Sequence, residues 1–147
     1  MIVLLRTLLE ENKEPMFVEY IKSQMMELYN QLSTCKELKT NLFLYISQVQ
    51  DIFVDIDETF LIKGTISTII EQKMIHNGGL VCHIEDVVVH EKYRGQKIGQ
   101  QLMDYAISHA KRNKCYKIIL NCNDNVEEFY QKMGFTCKNK EMSMYFK

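Results

Sequence analysis

Three groups of residues in this 147-residue chain have types and spacing suited to chemistry. The first is "YRGQKIG", Tyr93 to Gly99, lying between the β-branched run Val87 to Val89 and an amphipathic stretch. Between a strand and a helix, this turn would present unpaired N–H groups and the positive end of the helix dipole. Gly95 and Gly99 remove side chains where an anion must approach the main chain, and Arg94 and Lys97 add positive charge, which suits a pyrophosphate. Taken alone, the turn is equally an ordinary strand-to-helix connection with a solvated basic patch.

The second group is Glu85 and Asp86, adjacent inside an apolar strand. A strand period of two sends their side chains to opposite faces, so both cannot be solvated. A buried carboxylate is costly unless paired, and either a basic side chain of the fold or a substrate should meet it. The third is Tyr130 in "NVEEFYQKMGF". With an unperturbed pKa of about 10, a phenol is protonated at neutral pH and can donate a proton or hydrogen bond to a developing anion. Outside such a context, Tyr130 would be core, as Phe129 and Phe135 are read to be.

Hydrophobic periodicity supplies the elements that position these groups. "MIVLLRTLLEENKE" reads as an edge strand, and Pro15 opens a helix, capped by Asn12, whose stripe is Phe17, Ile21, Met25, Leu28 and Leu32. A shorter helix is expected over Leu38 to Ile46. "DIFVDI" and "FLIKGTISTIIE" predict a hairpin around Asp57 and Glu58, and after the "HNGG" loop a strand runs from Leu80 to Val89. A helix over Lys97 to Arg112, a buried strand in "CYKIILNC" and a short helix over Val126 to Met133, closed by Gly134, follow. "FTCKNKEMSMYF" is expected to add a last strand. The order describes one α/β domain over residues 1–147 with a mixed central sheet.

Composition narrows the function. Eighteen basic and nineteen acidic residues give a net charge of −1, which excludes a global field for polyanions and gives no support to nucleic-acid binding. The five cysteines include no C-x-x-C pair, so no metal site is expected and free thiols in a reducing cytoplasm fit best. The apolar opening is too short for a membrane span and lacks a signal-peptide cleavage site.

At these residues the sequence becomes familiar. "RGQKIG" resembles the Q/R-x-x-G-x-G/A coenzyme A turn of the GNAT acyltransferase superfamily, and "EEFYQKMGF" resembles its closing motif. More narrowly, "IIEQKMIHNGGLVCHIEDVVV" with "CYKIILNCN" and "FYQKMGF" resembles the eukaryotic glucosamine-6-phosphate N-acetyltransferases over roughly the second half of the chain. The first half agrees in its order of elements, with "LST" similar to a stretch that contributes a hydroxyl near the sugar. The resemblance implies the GNAT fold, a twisted mixed sheet flanked by helices, with acetyl-CoA as co-substrate and no metal. It implies acetyl transfer to the amine of glucosamine 6-phosphate by direct attack, without an acyl-enzyme, on the route to UDP-N-acetylglucosamine.

Carried over residue by residue, the family roles give Val87, Val88 and Val89 to the pantetheine arm, and Arg94, Gly95, Gln96, Lys97, Ile98, Gly99 and Gln100 to the pyrophosphate. Lys73, Met74, Ile75 and His76 are implied to lie along the sugar phosphate, Glu85 and Asp86 to grip sugar hydroxyls or the amine, and Ser33 to add a contact. Tyr130 would face the thioester sulfur, bind the cofactor and protonate the leaving thiolate. Two bases stay open, a carboxylate such as Glu85 acting through water and the main-chain carbonyl of Asn121. A homodimer is also implied, and the apolar "MSMYF" would be an exposed edge in a monomer.

Four departures from the family pattern stand out. Lys97 replaces a common glycine, which requires an ordinary helical backbone there. Asn121 stands where the family often has an acid, and Val126 where it has an asparagine, with Asn125 one place early. Near the C terminus the family has an arginine that reaches the sugar phosphate across a dimer interface; here Tyr145 occupies that place and Lys147 follows, without arginine's fork. Two rival functions share the turn: acetylation of another small amine or a protein N terminus, and a non-catalytic coenzyme A binding module.

Overall fold

The computed structural model describes residues 1–11, 14–32 and 51–146. Its centre is a five-stranded mixed sheet whose spatial order follows the chain: β1 (Ile2–Leu4), β2 (Asp51–Ile56), β3 (Ile62–Gln72), β4 (Leu80–Val89) and β5 (Lys117–Ile119). The first three pairings are antiparallel, and β4 pairs with β5 in parallel. Helices α1 (Leu5–Glu11) and α2 (Pro15–Leu32) cover one face, and α3 (Ile98–Arg112) covers the other, where α4 (Asp124–Gln131) also docks through Tyr130.

Alternation along the strands builds the two core layers. Ile52, Val54 and Ile56 of β2 pack with Leu5, Leu8, Ile21 and Met25, while Phe53 turns to the other face and meets Leu102, Met103 and Ala106 of α3. Pro15 does open α2, where a missing N–H costs nothing. The side chain of Gln24 pins that helix to the sheet, its Oε1 accepting from the Ile62 N–H at 2.6 Å and its Nε2 donating to the Phe60 carbonyl at 3.1 Å. The acidic turn expected between β2 and β3 is held by Asp57 Oδ1, which accepts from the N–H groups of Thr59 and Leu61. Asn12, Ser33, Cys35, the helix expected over 38–46, Lys147 and the side chains of Leu28 and Leu32 lie outside the described residues.

Three expectations need correction. The opening stretch is an edge strand only over Ile2–Leu4; Leu5 and Leu8, at helical spacing, turn it into α1 and bury against the sheet. The strand in "CYKIILNC" is three residues long and half-buried, because β5 pairs on one side only. Finally, residues 136–146 form no strand: the tail finds no sheet partner among the described residues.

Register breaks once in the long β3–β4 ladder. Thr65 pairs with Val88 and Ser67 with Glu85, so Asp86 and Val87 together stand opposite Ile66. This is a β-bulge, and Asp86 takes the left-handed conformation at its first position, with φ +50°. The extra residue inverts the facing of the strand. Cys82 and Ile84 face α3 before the bulge, Val87 and Val89 face it afterwards, and Val88 joins the α2 layer.

Gly64 sits beside that irregularity, where an added Cβ would lie 2.8 Å from the Val88 carbonyl oxygen and 3.0 Å from Leu102. Because the nearer obstacle is backbone, Gly64→Ala is expected to lower the unfolding free energy by about 1–3 kcal/mol, measured by urea denaturation. Wild-type stability would show that β3 and β4 can separate there without cost.

Candidate active site

The two edges of β4 are unequally paired. Toward β3 the ladder runs from Leu80 to Val89, whereas toward β5 it covers only Val81, Cys82 and His83. From Ile84 onward the β5-side edge of β4 therefore has no strand beside it among the described residues, which leaves main-chain N–H and C=O groups that an extended ligand could pair with. Val87, Val88 and Val89, the residues expected to meet the pantetheine arm, lie on this open length.

Beyond Val89 the chain makes one turn of 3₁₀-helix, Glu91–Tyr93, and enters α3. Gly95 has φ +78° with open space around its Cβ position, so backbone conformation requires the glycine. The first helical hydrogen bond of α3 runs from the Gln101 N–H to the Lys97 carbonyl at 3.0 Å, leaving the N–H groups of Ile98, Gly99 and Gln100 ahead of it. Arg94 Nε donates to the Val89 carbonyl at 3.3 Å, tying the basic turn to the open edge. This is a fit for a pyrophosphate at the end of an extended arm. The expectation for Lys97 is overturned: its φ is +62°, in the left-handed region, because the turn keeps the backbone that a glycine would take.

α4 is docked beside that turn. The ring of Phe129 lies 3.4 Å from where a Gly99 Cβ would be, and Tyr130 packs edge-on against Phe129 and Phe135 at centroid distances of 5.0 and 6.2 Å. Tyr130 is half-buried in the α3-side core, and burial, with a smaller contribution from nearby Cys122, pushes its phenol up from the usual value. It stays a proton donor at neutral pH. Burial raises the thiols of Cys82, Cys115 and Cys122, that of Cys82 to about 11, so these three are poor nucleophiles at neutral pH.

The bulge also corrects the expected arrangement of Glu85 and Asp86, whose directions do not follow strict alternation once Asp86 adopts positive φ. Glu85 is exposed and Asp86 half-buried, and neither makes a hydrogen bond or ion pair with a described residue. Loss of water raises the Glu85 carboxyl, as do the charges of Asp86 and Glu141, while His83 opposes them. Loss of water alone raises Asp86. The alternative of a buried ion pair with the fold is absent among the described residues, so these are acceptors without a donor.

Lys73 to His76 form the β3–β4 connection. Met74 and Ile75 are exposed, His76 stacks on Tyr116 at 4.6 Å, and His76, Asn77 and Gly78 all have positive φ. Lys73 has a protein partner that sequence reasoning missed: its ammonium pairs with Glu71, whose Oε2 also meets His83 Nε2 at 2.8 Å. The available signal was an opposite charge, Glu71, two places before Lys73 in the sequence. Asn121 is exposed just after β5. Ser33, outside the described residues, is not placed, and no group of three or more His, Cys, Asp or Glu side chains able to hold a metal occurs among the described residues.

Comparison with known proteins bears on these features. The family model described as acetyltransferase (GNAT) family matches residues 6–135. A glucosamine 6-phosphate N-acetyltransferase of Arabidopsis thaliana is 41% identical over 85 residues, covering 58% of this chain and 57% of that protein. Glucosamine 6-phosphate N-acetyltransferase 1 of Dictyostelium discoideum is 33% identical over 127 residues, 86% of this chain and 74% of the relative. The crystal structure of the Arabidopsis thaliana glucosamine-6-phosphate N-acetyltransferase superposes with a TM-score of 0.74 at 33% identity, covering 86% of this chain and 94% of that one. Against the plant relatives, then, the chain spans about half the full length, 57% of the Arabidopsis and 48% of a rice protein.

The left-handed Lys97 generates a stability prediction. Replacing it by glycine removes the clash that Cβ makes in this conformation, so Lys97→Gly should raise the unfolding free energy by about 1 kcal/mol. A urea melt of the two proteins checks this, and a loss of stability would contradict the strained conformation.

Proposed function

This chain belongs to the acetyltransferase (GNAT) family, and from that premise we propose that it transfers the acetyl group of acetyl-CoA to the amine of glucosamine 6-phosphate. The products are N-acetylglucosamine 6-phosphate and coenzyme A, the former a precursor for UDP-N-acetylglucosamine. The observation that carries this reading is the β4 edge without a strand partner among the described residues, leading into a turn of N–H groups outside the helical ladder, with two carboxylates at the bulge that no described residue pairs. Relatives with this activity in their names support the choice of acceptor.

The chemistry uses groups already in place. Glu85 and Asp86 accept hydrogen bonds from sugar hydroxyls or the amine, and the raised Glu85 carboxyl is the better matched to take an amine proton, directly or through water. The Asn121 main-chain carbonyl is the other acceptor for that proton. As the nitrogen bonds to the acetyl carbon and the carbon–sulfur bond breaks, an N–H near Val87 or Val88 hydrogen-bonds to the carbonyl oxygen, where charge grows. Tyr130 gives its proton, or a hydrogen bond, to the departing sulfur. Positioning on a fixed strand supplies much of the acceleration, and no covalent enzyme intermediate is required.

A second copy of the chain completes this proposal. Met142, Met144, Tyr145 and Phe146 are 96%, 78%, 91% and 89% exposed, and among the described residues neither the tail nor the outer edge of β5 has a strand partner. Burying the tail against a partner would satisfy both, and a site shared across the interface would supply the remaining cation for the phosphate. The same reading places the protein in the cytoplasm, where Cys82, Cys115, Cys122 and Cys137 stay reduced thiols.

Two measurements test this. Coenzyme A release from acetyl-CoA should be strongly faster with glucosamine 6-phosphate than with unphosphorylated glucosamine or a peptide amine, and Tyr130→Phe should lower kcat by roughly a hundredfold with little change in acetyl-CoA affinity. Equal rates on the two sugars would favour acetylation of another small amine, the reading to which Tyr145 in place of the family arginine points. Light scattering should give a dimer that deletion of residues 142–147 converts to monomer; a monomeric full chain would remove the shared site.

A further inference from the structure

One carboxylate outside the roles above joins the two strands that frame the site. Glu71 is the last residue but one of β3, Lys73 is the first residue after that strand, and His83 comes from β4. The Lys73 ammonium and His83 Nε2 converge on a single oxygen, Glu71 Oε2. Hydrogen bonds from Lys73, first, and from His83 hold the Glu71 carboxyl below the ordinary range, so it is ionised whenever the protein is near neutral pH.

We infer that Glu71 is a positioning residue: it holds the Lys73 ammonium at the mouth of the β3–β4 connection, in place to meet the phosphate of the acceptor. This inference rests on the acceptor proposed above. A lysine is a point charge on a long flexible stem, and ordering it on binding is costly. Glu71 orders it beforehand while occupying one of its three N–H donors, which leaves the others for phosphate oxygens. A carboxylate beside a phosphate would repel it, but the second donor on the same oxygen, His83, draws on that negative charge and anchors the carboxylate to β4.

Steady-state kinetics on the full chain with both sugars, for wild type, Glu71→Gln, Lys73→Met and the double variant, test the inference. Glu71→Gln should raise KM for glucosamine 6-phosphate about fivefold, leaving kcat, KM for acetyl-CoA and KM for unphosphorylated glucosamine unchanged. With Lys73→Met already present, adding Glu71→Gln should change KM no further, because the coupling is lost with the lysine. An unchanged or lowered KM in Glu71→Gln, or the same rise on both backgrounds, overturns the role of Glu71 alone. A wild-type protein that treats the two sugars alike overturns the acceptor assignment together with it.

Discussion

Strand β4 pairs with β3 from Leu80 to Val89, interrupted only by the bulge at Asp86 and Val87, and with β5 along only three residues, and the site is organised by that inequality. A main-chain edge in the middle of a packed sheet is costly to leave dry, so the stretch beyond His83 must take water or a ligand that offers amide-like donors and acceptors. The separation has a cause in the chain. The bulge adds a residue to β4 at Asp86, and a bulge increases local twist, which works against continued pairing with a straight neighbour. The same bulge keeps Val87 and Val89 against the α3 core, so the open edge is rigid on one face while it is unpaired along its side.

Electrostatics in this protein are local, as a net charge of −1 requires. Around the bulge, partly desolvated Glu85 and Asp86 find no cation in the described structure. At the other end of the same strand pair, Lys73, His83 and Glu71 satisfy one another. Acceptors without donors at one end and an ordered cation at the other make a polar gradient along one sheet face, suited to a ligand with hydroxyls or an amine at one end and an anion at the other. The anion turn at α3 is separate and needs no side-chain charge to work, since its donors are main-chain N–H groups.

Much of this was legible from residue types. The limits of β4, the start of α2 at Pro15, the Asp57 turn and the left-handed Gly134, with φ +89°, each follow from a strong local preference that the fold does not oppose. The bulge was not legible, because three consecutive valines satisfy either facing of a strand and hide the inversion. Its only trace is an aspartate inside an apolar run, a residue that tolerates positive φ better than most. Lys97 misled for the opposite reason: residue type argues for an ordinary helical backbone, whereas the turn between β4 and α3 dictates a left-handed one. Glu71 escaped notice because its significance lies in a contact with the neighbouring strand, which spacing along one strand does not reveal.

The shortness of β5 and the exposure of the tail both go with a missing neighbour among the described residues. A strand's length is set by its neighbours as well as its own propensity, and "KIIL" has a neighbour on one side only. The tail, rich in methionine and aromatic residues, has the composition of a buried strand yet is exposed along residues 142–146. Among the described residues neither the tail nor the outer side of β5 has a strand to pair with. Glu141, at the base of the tail, already raises the Glu85 carboxyl through its charge. The Glu141 side chain therefore lies within electrostatic reach of Glu85, so the exposed run of the tail begins near the bulge of β4.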